Sequence, residues 1–233
     1  MAEEEDIAEK SGRTLMRGVV VEFDFTVVDG SQLLFETARK VLEAKGIDLT
    51  LKLEAMHLVG GNYQGGLAEL FGVLGKKCDP AATARDLSDA FAKALTASVA
   101  GAVTSGFKAF VNALTEKDIK VVIATRADIE AIKPAFAEFD PEKVVLYAEP
   151  SMTYGNCKWD AWRRAYSQNG LVDVLTVAVS GSGAGVKAAL VAGMGAVAVI
   201  HDHVAYQDFG GADFATDVVN AKLADEVLRM LHA

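Results

Sequence analysis

The sequence contains few of the residues that mark several common classes of protein. It has 2 cysteines and 4 prolines in 233 residues, and 51% of the chain is hydrophobic. Cys78 and Cys157 stand far apart and form no CxxC or Cys/His spacing, so neither a disulfide scaffold nor a structural zinc site is indicated. The hydrophobic content excludes a fibrous or disordered protein and predicts one substantial core, with or without a small satellite domain.

Positive charge is scarce as well. Lysine and arginine number 23 against 32 acidic residues, for a net charge of -9, and they form no basic run. Nucleic acid or an anionic membrane is therefore not the expected partner, because both need a basic face. The best apolar run, residues 186–200, is too short to span a bilayer. We expect residues 1–15 to be a solvated acidic tail without signal-peptide character, and the protein to be cytoplasmic.

Apolar runs and helical periodicity alternate along most of the chain. Buried strands are predicted at residues 18–23, 119–124, 143–147, 174–179 and 196–200. Amphipathic helices are predicted at residues 106–117, 129–139, 158–169 and 185–193. This alternation predicts an α/β fold with a doubly wound parallel sheet, whose binding crevice lies at the carboxyl ends of the strands.

One region interrupts the alternation. Residues 31–104 hold helical candidates at 32–45, 63–74 and 81–99 and no convincing strand. We therefore expect a core domain formed by residues 16–30 and 105–233, with residues 31–104 as a small helical cap domain inserted after the first strand. Such an insertion can act as a lid over the crevice.

The segment after the first strand carries the first chemical motif. It runs Glu22-Phe23-Asp24-Phe25-Thr26 and resembles the first motif of the haloacid dehalogenase (HAD) superfamily, in which Asp-x-Asp-x-Thr follows an apolar strand. One position departs from that pattern, since the nucleophilic aspartate of the family is Glu22 here. Carboxylates two residues apart at a strand end point to the same side, so Glu22 and Asp24 are expected to face one pocket.

Three later segments extend the resemblance over nearly the whole chain. Thr125 ends the second predicted strand, where the second HAD motif has Ser or Thr. Lys158 opens a helix, as the lysine of the third motif does. The loop 180–185 precedes an Ala-rich helix that ends in Ala-Gly-Met, as the fourth motif does. The position of the helical insertion is similar to that of the cap in the phosphoglucomutase-like and haloacid dehalogenase-like branches.

The resemblance implies a chemistry that this chain supports only in part. In the family, the first Asp attacks phosphorus and the second Asp serves as general acid and base, which corresponds to Glu22 and Asp24. The extra methylene of Glu22 moves the attacking oxygen by roughly 1 Å, and such a misplacement can cost about 10²-fold in rate. Magnesium in the family also needs a carboxylate from the fourth motif, where this chain has Ser180 and Gly181.

Thr125 and Lys158 match the family residues that hold the phosphoryl group. Without chemistry they could bind an anion. Lys158 could instead pair with Glu22 or be a surface lysine at a helix start, and Thr125 could cap the following helix. The sequence thus predicts a HAD-like protein with impaired or lost phosphatase activity, without a metal or other cofactor, and with a binding or assembly role. Its partner would be a small phosphorylated molecule or another protein.

Several alternatives stay open at this point. An active phosphatase of a small phosphorylated metabolite would require magnesium, and a metal-free dehalogenase would account for serines in the fourth motif. The loop 181–185 also resembles a dinucleotide loop, with Asp202 placed for a ribose. His201 and His203 suggest a metal or acid/base pair, although a polar loop is the simpler interpretation. Trp159 and Trp162 are interpreted as core or cap contacts.

Overall fold

The computed structural model describes residues 16–58, 63–148 and 158–232, without the side chains of residues 158 and 159. The predicted acidic tail lies outside these residues. The described strands form a parallel sheet in the order β3-β2-β1-β4-β5-β6. They are β1 Met16–Glu22, β2 Lys120–Thr125, β3 Val144–Ala148, β4 Leu171–Ser180, β5 Gly195–Val199 and β6 Phe214–Thr216.

All five predicted strands are confirmed to within a few residues. The short strand β6 was not predicted, because its three residues, Phe-Ala-Thr, are partly exposed and form no apolar run. The helices are α1 Phe23–Thr26, α2 Gly30–Glu43, α3 Leu51–His57, α4 Tyr63–Val73, α5 Pro80–Ala102, α6 Ser105–Thr115, α7 Ile129–Ile132, α8 Lys158–Gln168, α9 Gly183–Val191 and α10 Ala221–Met230.

The central strand β1 is buried on both faces. Val19 and Val21 belong to one hydrophobic cluster, with side chains of α6 and α10, while Val20 belongs to a second cluster with side chains of α8 and α9. All three valines are 0% exposed. Because successive side chains of a strand point to opposite faces, the run Val-Val-Val fits a sheet covered by helices on both sides. The doubly wound fold predicted from the sequence is confirmed.

A group of helices, α2 to α5, stands between β1 and α6. No strand occurs among the described residues between 30 and 104, as predicted. The long helix α5 packs against α2 and α4. Its apolar stripe includes Phe91 and Leu95, which are at most 1% exposed. Helix α3 was not predicted, since seven residues are too few to show a helical period. The division into core and cap domains remains a prediction.

Two predicted boundaries were wrong. Phe23 was assigned to the first strand, but the strand ends at Glu22 and Phe23 begins the one-turn helix α1. The helix predicted at 129–139 ends at Ile132 and is followed by a 3-10 turn, Lys133–Phe136. Pro134 explains that break, because proline has no amide hydrogen and its ring clashes with the preceding helical turn. Within the described ranges, no single helix is long and apolar enough to cross a membrane.

Candidate active site

Three of the four predicted site residues, Glu22, Asp24 and Thr125, meet at the carboxyl end of β1. The strand register aligns Glu22 with Ala124 of β2 and Val21 with Val179 of β4. Thr125 and Ser180 therefore follow on either side of Glu22, at the end of the two neighbouring strands. Glu22, Thr125 and Ser180 are each at most 1% exposed. The parallel sheet thus brings together residues that lie up to 158 positions apart in the sequence.

Glu22 is held by donors from the fourth-motif loop. Its Oε2 accepts a hydrogen bond from the Ser180 hydroxyl at 2.6 Å and a longer one from the Gly181 amide at 3.3 Å. Its backbone carbonyl accepts the Thr26 hydroxyl at 2.8 Å, which fixes the turn of α1. Hydrogen bonds to a buried carboxylate are what allow it to lie away from water. Glu22 Oε2 is therefore occupied by two protein donors.

Asp24 lies on α1 and points toward the end of β2. Its Oδ1 accepts the Thr125 hydroxyl at 2.5 Å, and its Oδ2 accepts the Arg126 amide at 2.9 Å. Burial raises the pKa of the Asp24 carboxyl above its ordinary value, and the nearby Glu22 raises it further. The charge of Arg126 and the bonds from Thr125 and the Arg126 amide act in the opposite direction. A buried carboxyl with a raised pKa can carry a proton, as a general acid must.

Thr125 takes part in two contacts, so it is both a partner of Asp24 and a local cap. In addition to donating to Asp24, its Oγ1 accepts the Ala127 amide at 3.0 Å. The helix that follows is capped by Asp128, whose side chain accepts the Glu130 amide, and the predicted role of Thr125 in holding a phosphoryl group remains a prediction. Lys158 begins helix α8, and its side chain lies outside the described part of the chain. Its predicted role beside Glu22 remains a prediction.

The fourth-motif loop leaves no room for a side chain at residue 181. A β-carbon on Gly181 would stand 1.7 Å from the carbonyl oxygen of Phe25, in the backbone just after Asp24. Real β-carbons do not approach a heavy atom so closely. Gly185 is similarly confined, since its β-carbon would stand 2.0 Å from Ser180 Oγ. The glycines here are needed for close approach of backbone segments.

The donor set does not fit magnesium, the ion that the resemblance implies. Magnesium requires oxygen ligands with near-octahedral geometry. Glu22 Oε2 instead accepts hydrogen bonds from a hydroxyl and from an amide N–H group, whose hydrogens point at the oxygen that would bind the ion. Both oxygens of Asp24 also accept protein hydrogen bonds. Among the described residues no group of three His, Cys, Asp or Glu side chains could hold a metal.

Sequence reasoning missed Arg126, which follows Thr125 directly. Its guanidinium carbon lies 5.1 Å from the ring centroid of Phe25 and 5.6 Å from that of Phe91, in helix α5. The charge of Arg126 also acts on the buried hydroxyl of Tyr63, whose pKa burial raises and Arg126 lowers. Its only sequence signal was its place beside the second motif, since an isolated arginine is usually a surface residue.

A second polar contact connects the helical group to the loop after β5. Glu54, 1% exposed on α3, lies 3.1 Å from His203 through Oε2 and Nε2. Burial raises the pKa of the Glu54 carboxyl, against the hydrogen bond and charge of His203. His201 instead contacts the carbonyl oxygen of Thr26 at 3.2 Å. The two histidines therefore face different partners, which favours the polar-loop interpretation over a shared site.

The remaining residues singled out in the sequence divide between core and surface. Trp162 is 4% exposed and donates its indole N–H to the carbonyl of Gly185 at 3.0 Å, so it is a core residue as predicted. The side chain of Trp159 is outside the described residues. Asp202 lines a polar groove that it shares with Asp29, Gln32, Ile200, His201, His203 and Asp217.

Comparison with known proteins gives structural but no sequence relatives. No protein-family model and no curated protein sequence matches the chain. A β-phosphoglucomutase from Clostridium difficile is similar in structure with a TM-score of 0.70 and 16% identity, over 94% of this chain and 98% of that one. CbbY from Rhodobacter sphaeroides, solved with phosphate, has a TM-score of 0.66 and 19% identity, over 90% and 96%.

A HAD family hydrolase from Deinococcus radiodurans R1, solved with bound phosphate and sodium, has a TM-score of 0.56 and 19% identity, over 94% of this chain and 97% of that chain. These likenesses extend over both the sheet and the inserted helices, since they cover at least nine-tenths of the chain. The order of the strands, the buried motif residues and these neighbours agree: the chain has the fold of the HAD-like hydrolases, of the β-phosphoglucomutase type.

Proposed function

We propose that this protein uses a HAD-like hydrolase fold for binding or assembly, with phosphatase activity impaired or lost. The observation that carries the proposal is the contact between Gly181 and the backbone of Phe25. Because a β-carbon at residue 181 would lie 1.7 Å from the Phe25 carbonyl oxygen, residue 181 has no room for the carboxylate that the family carries in this loop. The proposed partner is a small phosphorylated molecule or another protein.

The hydrogen bonds of Glu22 support the same conclusion. Ser180 and Gly181 donate to Glu22 Oε2, so the described contacts stabilise this oxygen as an acceptor rather than leave it poised for attack. Attack through Oε2 would have to break these bonds, in addition to the displacement caused by the longer side chain. A metal would normally supply several kcal/mol of charge stabilisation to the transition state, and the donor set here is unsuited to hold one.

The first experiment is a turnover assay of the purified protein on a panel of small phosphate esters, with and without magnesium. The Asp24→Asn protein is the control for contaminating phosphatases. We expect no turnover above that control. We also expect Glu22→Asp to be inactive, because shortening the nucleophile alone leaves the fourth motif without a carboxylate. Magnesium-dependent turnover that disappears in Asp24→Asn would overturn the proposal.

A working hydrolase of small phosphorylated metabolites is the second candidate. It is favoured by the raised pKa of Asp24, which suits a general acid, and by the phosphate solved in two structural neighbours. A classical mechanism would need magnesium, as the resemblance implies, whereas the donor set described above favours a metal-free reaction. Both forms predict turnover that Asp24→Asn abolishes, and a chelator distinguishes them. The same assay separates it from the first candidate, since only turnover above the control supports it.

We also propose that the helices within residues 31–104 act as a cap over the site. Phe91 of α5 and Tyr63 of α4 both approach Arg126, which lies beside Asp24. Contacts between the inserted helices and the ends of the strands are what a lid requires. The proposal predicts that solvent reaches Asp24 only when helices α4 and α5 move away from the ends of the strands.

A further inference from the structure

The guanidinium of Arg126 lies where the sheet meets the inserted helices. Its backbone amide is tied to Asp24 at 2.9 Å, which fixes the residue at the end of β2. From there the side chain extends over the rings of Phe25 and Phe91, whose centroids are 5.9 Å apart. One ring belongs to the turn after β1 and the other to helix α5. The arginine is therefore held at the candidate site, where the residue is partly buried.

Two of the three guanidinium nitrogens lack a partner. Nε and Nη1 are buried and have no hydrogen-bond partner among the described residues. The aromatic rings attract the cation through their faces, but they accept no conventional hydrogen bond at its edge. A buried charged donor left unpaired costs more than a neutral one. The arrangement therefore favours an acceptor, and an anion above all.

The nearby protein carboxylates are already engaged elsewhere. Both oxygens of Asp24 accept hydrogen bonds, from the Thr125 hydroxyl and from the Arg126 amide. Glu54, which like Arg126 acts electrostatically on Tyr63, contacts His203 at 3.1 Å. Neither carboxylate pairs with the two guanidinium nitrogens. An acceptor for Nε and Nη1 must therefore come from outside this set of side chains.

We propose that Arg126 anchors an oxyanion, the phosphate or carboxylate group of a small ligand, through Nε and Nη1. This inference rests on the binding role proposed above and names the residue that recognises the ligand. Arginine suits this task because it stays charged and its fixed donor geometry matches oxyanions. The rings of Phe25 and Phe91 hold the guanidinium in place, so little side-chain entropy is lost when the anion binds.

The test measures the affinity of the intact protein for inorganic phosphate and for acetate by isothermal titration calorimetry, with chloride to match ionic strength. Arg126→Gln removes the charge at the site, and Arg85→Gln, an exposed arginine on α5, is the matched control. We expect Arg126→Gln to weaken binding by about tenfold or more, as loss of a charged hydrogen bond does, and Arg85→Gln to leave it unchanged. Preference for phosphate or acetate identifies the ligand group.

Equal affinity in the wild-type and Arg126→Gln proteins would overturn the inference. It would also be overturned if the wild-type protein bound neither phosphate nor acetate. If Arg126→Gln fails to fold, a crystal structure of the wild-type protein soaked in phosphate decides instead: the anion must lie within hydrogen-bond distance of Nε or Nη1. Turnover assayed in parallel separates the two proposals. Turnover lost in Asp24→Asn contradicts the impaired activity and leaves the Arg126 anchor to be judged on affinity alone.

Discussion

The carbonyl oxygen of Phe25 lies 1.7 Å from the place that a β-carbon of residue 181 would occupy. Residue 181 belongs to the loop where HAD-like sequences carry an acidic residue, and Phe25 directly follows Asp24. The two backbone segments that border the site therefore exclude a side chain between them. The packing of these two segments excludes a carboxylate at residue 181, and we expect no substitution at that position to restore it.

Gly181→Asp should destabilise the protein without creating magnesium-dependent activity. The new side chain must displace the Phe25 backbone, and overpacking of this kind costs about 3 kcal/mol. Urea unfolding gives the change in free energy, and the phosphatase assay with magnesium gives the activity. Gly72→Asp is the control, because a β-carbon there meets nothing within 4 Å. A Gly181→Asp protein as stable as the control would contradict the prediction.

Ser180→Ala should destabilise the protein by about 2 kcal/mol, since it removes a hydrogen bond to a buried carboxylate. The bond joins Ser180 Oγ to Glu22 Oε2 at 2.6 Å. Chemical denaturation measures the effect, with the exposed Ser167→Ala as control. In a Glu22→Gln background the cost of Ser180→Ala should fall, because the acceptor is no longer charged. If Ser180→Ala lowers the free energy of unfolding equally in both backgrounds, the hydrogen bond to the carboxylate contributes little to stability.

Asp24→Asn should change how stability depends on pH. Burial raises the pKa of Asp24 above its ordinary value of 3.8, so the folded protein holds this proton more tightly than the unfolded chain. The wild-type free energy of unfolding then carries a contribution that is full below pH 3.8 and is lost as the pH rises through the raised pKa. Asparagine does not ionise, so the free energy of unfolding of the variant does not fall in this way as the pH rises.

The free energy of unfolding of Asp24→Asn, relative to wild type, should therefore increase as the pH rises above about 4. Urea titrations at a series of pH values measure that difference. Asp89→Asn, an exposed position on α5, provides the comparison. A difference between wild type and Asp24→Asn that stays constant with pH would mean that Asp24 titrates alike in the folded and unfolded states.

Glu54 and His203 should show energetic coupling, because one carboxylate oxygen of a buried residue faces the imidazole at 3.1 Å. A double-mutant cycle with Glu54→Gln and His203→Asn should give a coupling of about 1 to 2 kcal/mol. The exposed pair Lys108 and Glu138, 2.6 Å apart, is the matched control and should give a coupling near zero. If the two substitutions change the free energy of unfolding additively, the Glu54–His203 contact does not stabilise the packing of α3 against the core.

The sequence predicted the strands well because buried parallel strands are continuous apolar runs. The run Val19-Val20-Val21 has no helical period, and both faces of the strand prove to be covered. Short elements were missed for the opposite reason. Helix α3 and strand β6 have 7 and 3 residues, too few to carry a period, and they form because neighbouring elements pack against them.

The candidate site shows the same division. Glu22, Asp24 and Thr125 were predicted from local motifs, each placed after a strand, and the register of a parallel sheet brings such residues together. Arg126 was missed because a single arginine carries no pattern, and its burial depends on Phe91, 35 positions earlier in the chain. The Glu54 and His203 contact, across 149 positions, was equally invisible to local reasoning.

The sequence by itself determined the fold class and the helical insertion, because these follow from periodicity, and it predicted the motif residues through their resemblance to the HAD superfamily. It also determined that a carboxylate is missing from the fourth motif. Only the tertiary structure decided that none fits at residue 181, since the obstacle is the backbone of Phe25, 156 positions away in the sequence. The tertiary structure alone also shows that two nitrogens of Arg126 are unpaired, because three-dimensional packing decides which groups find a hydrogen-bond partner.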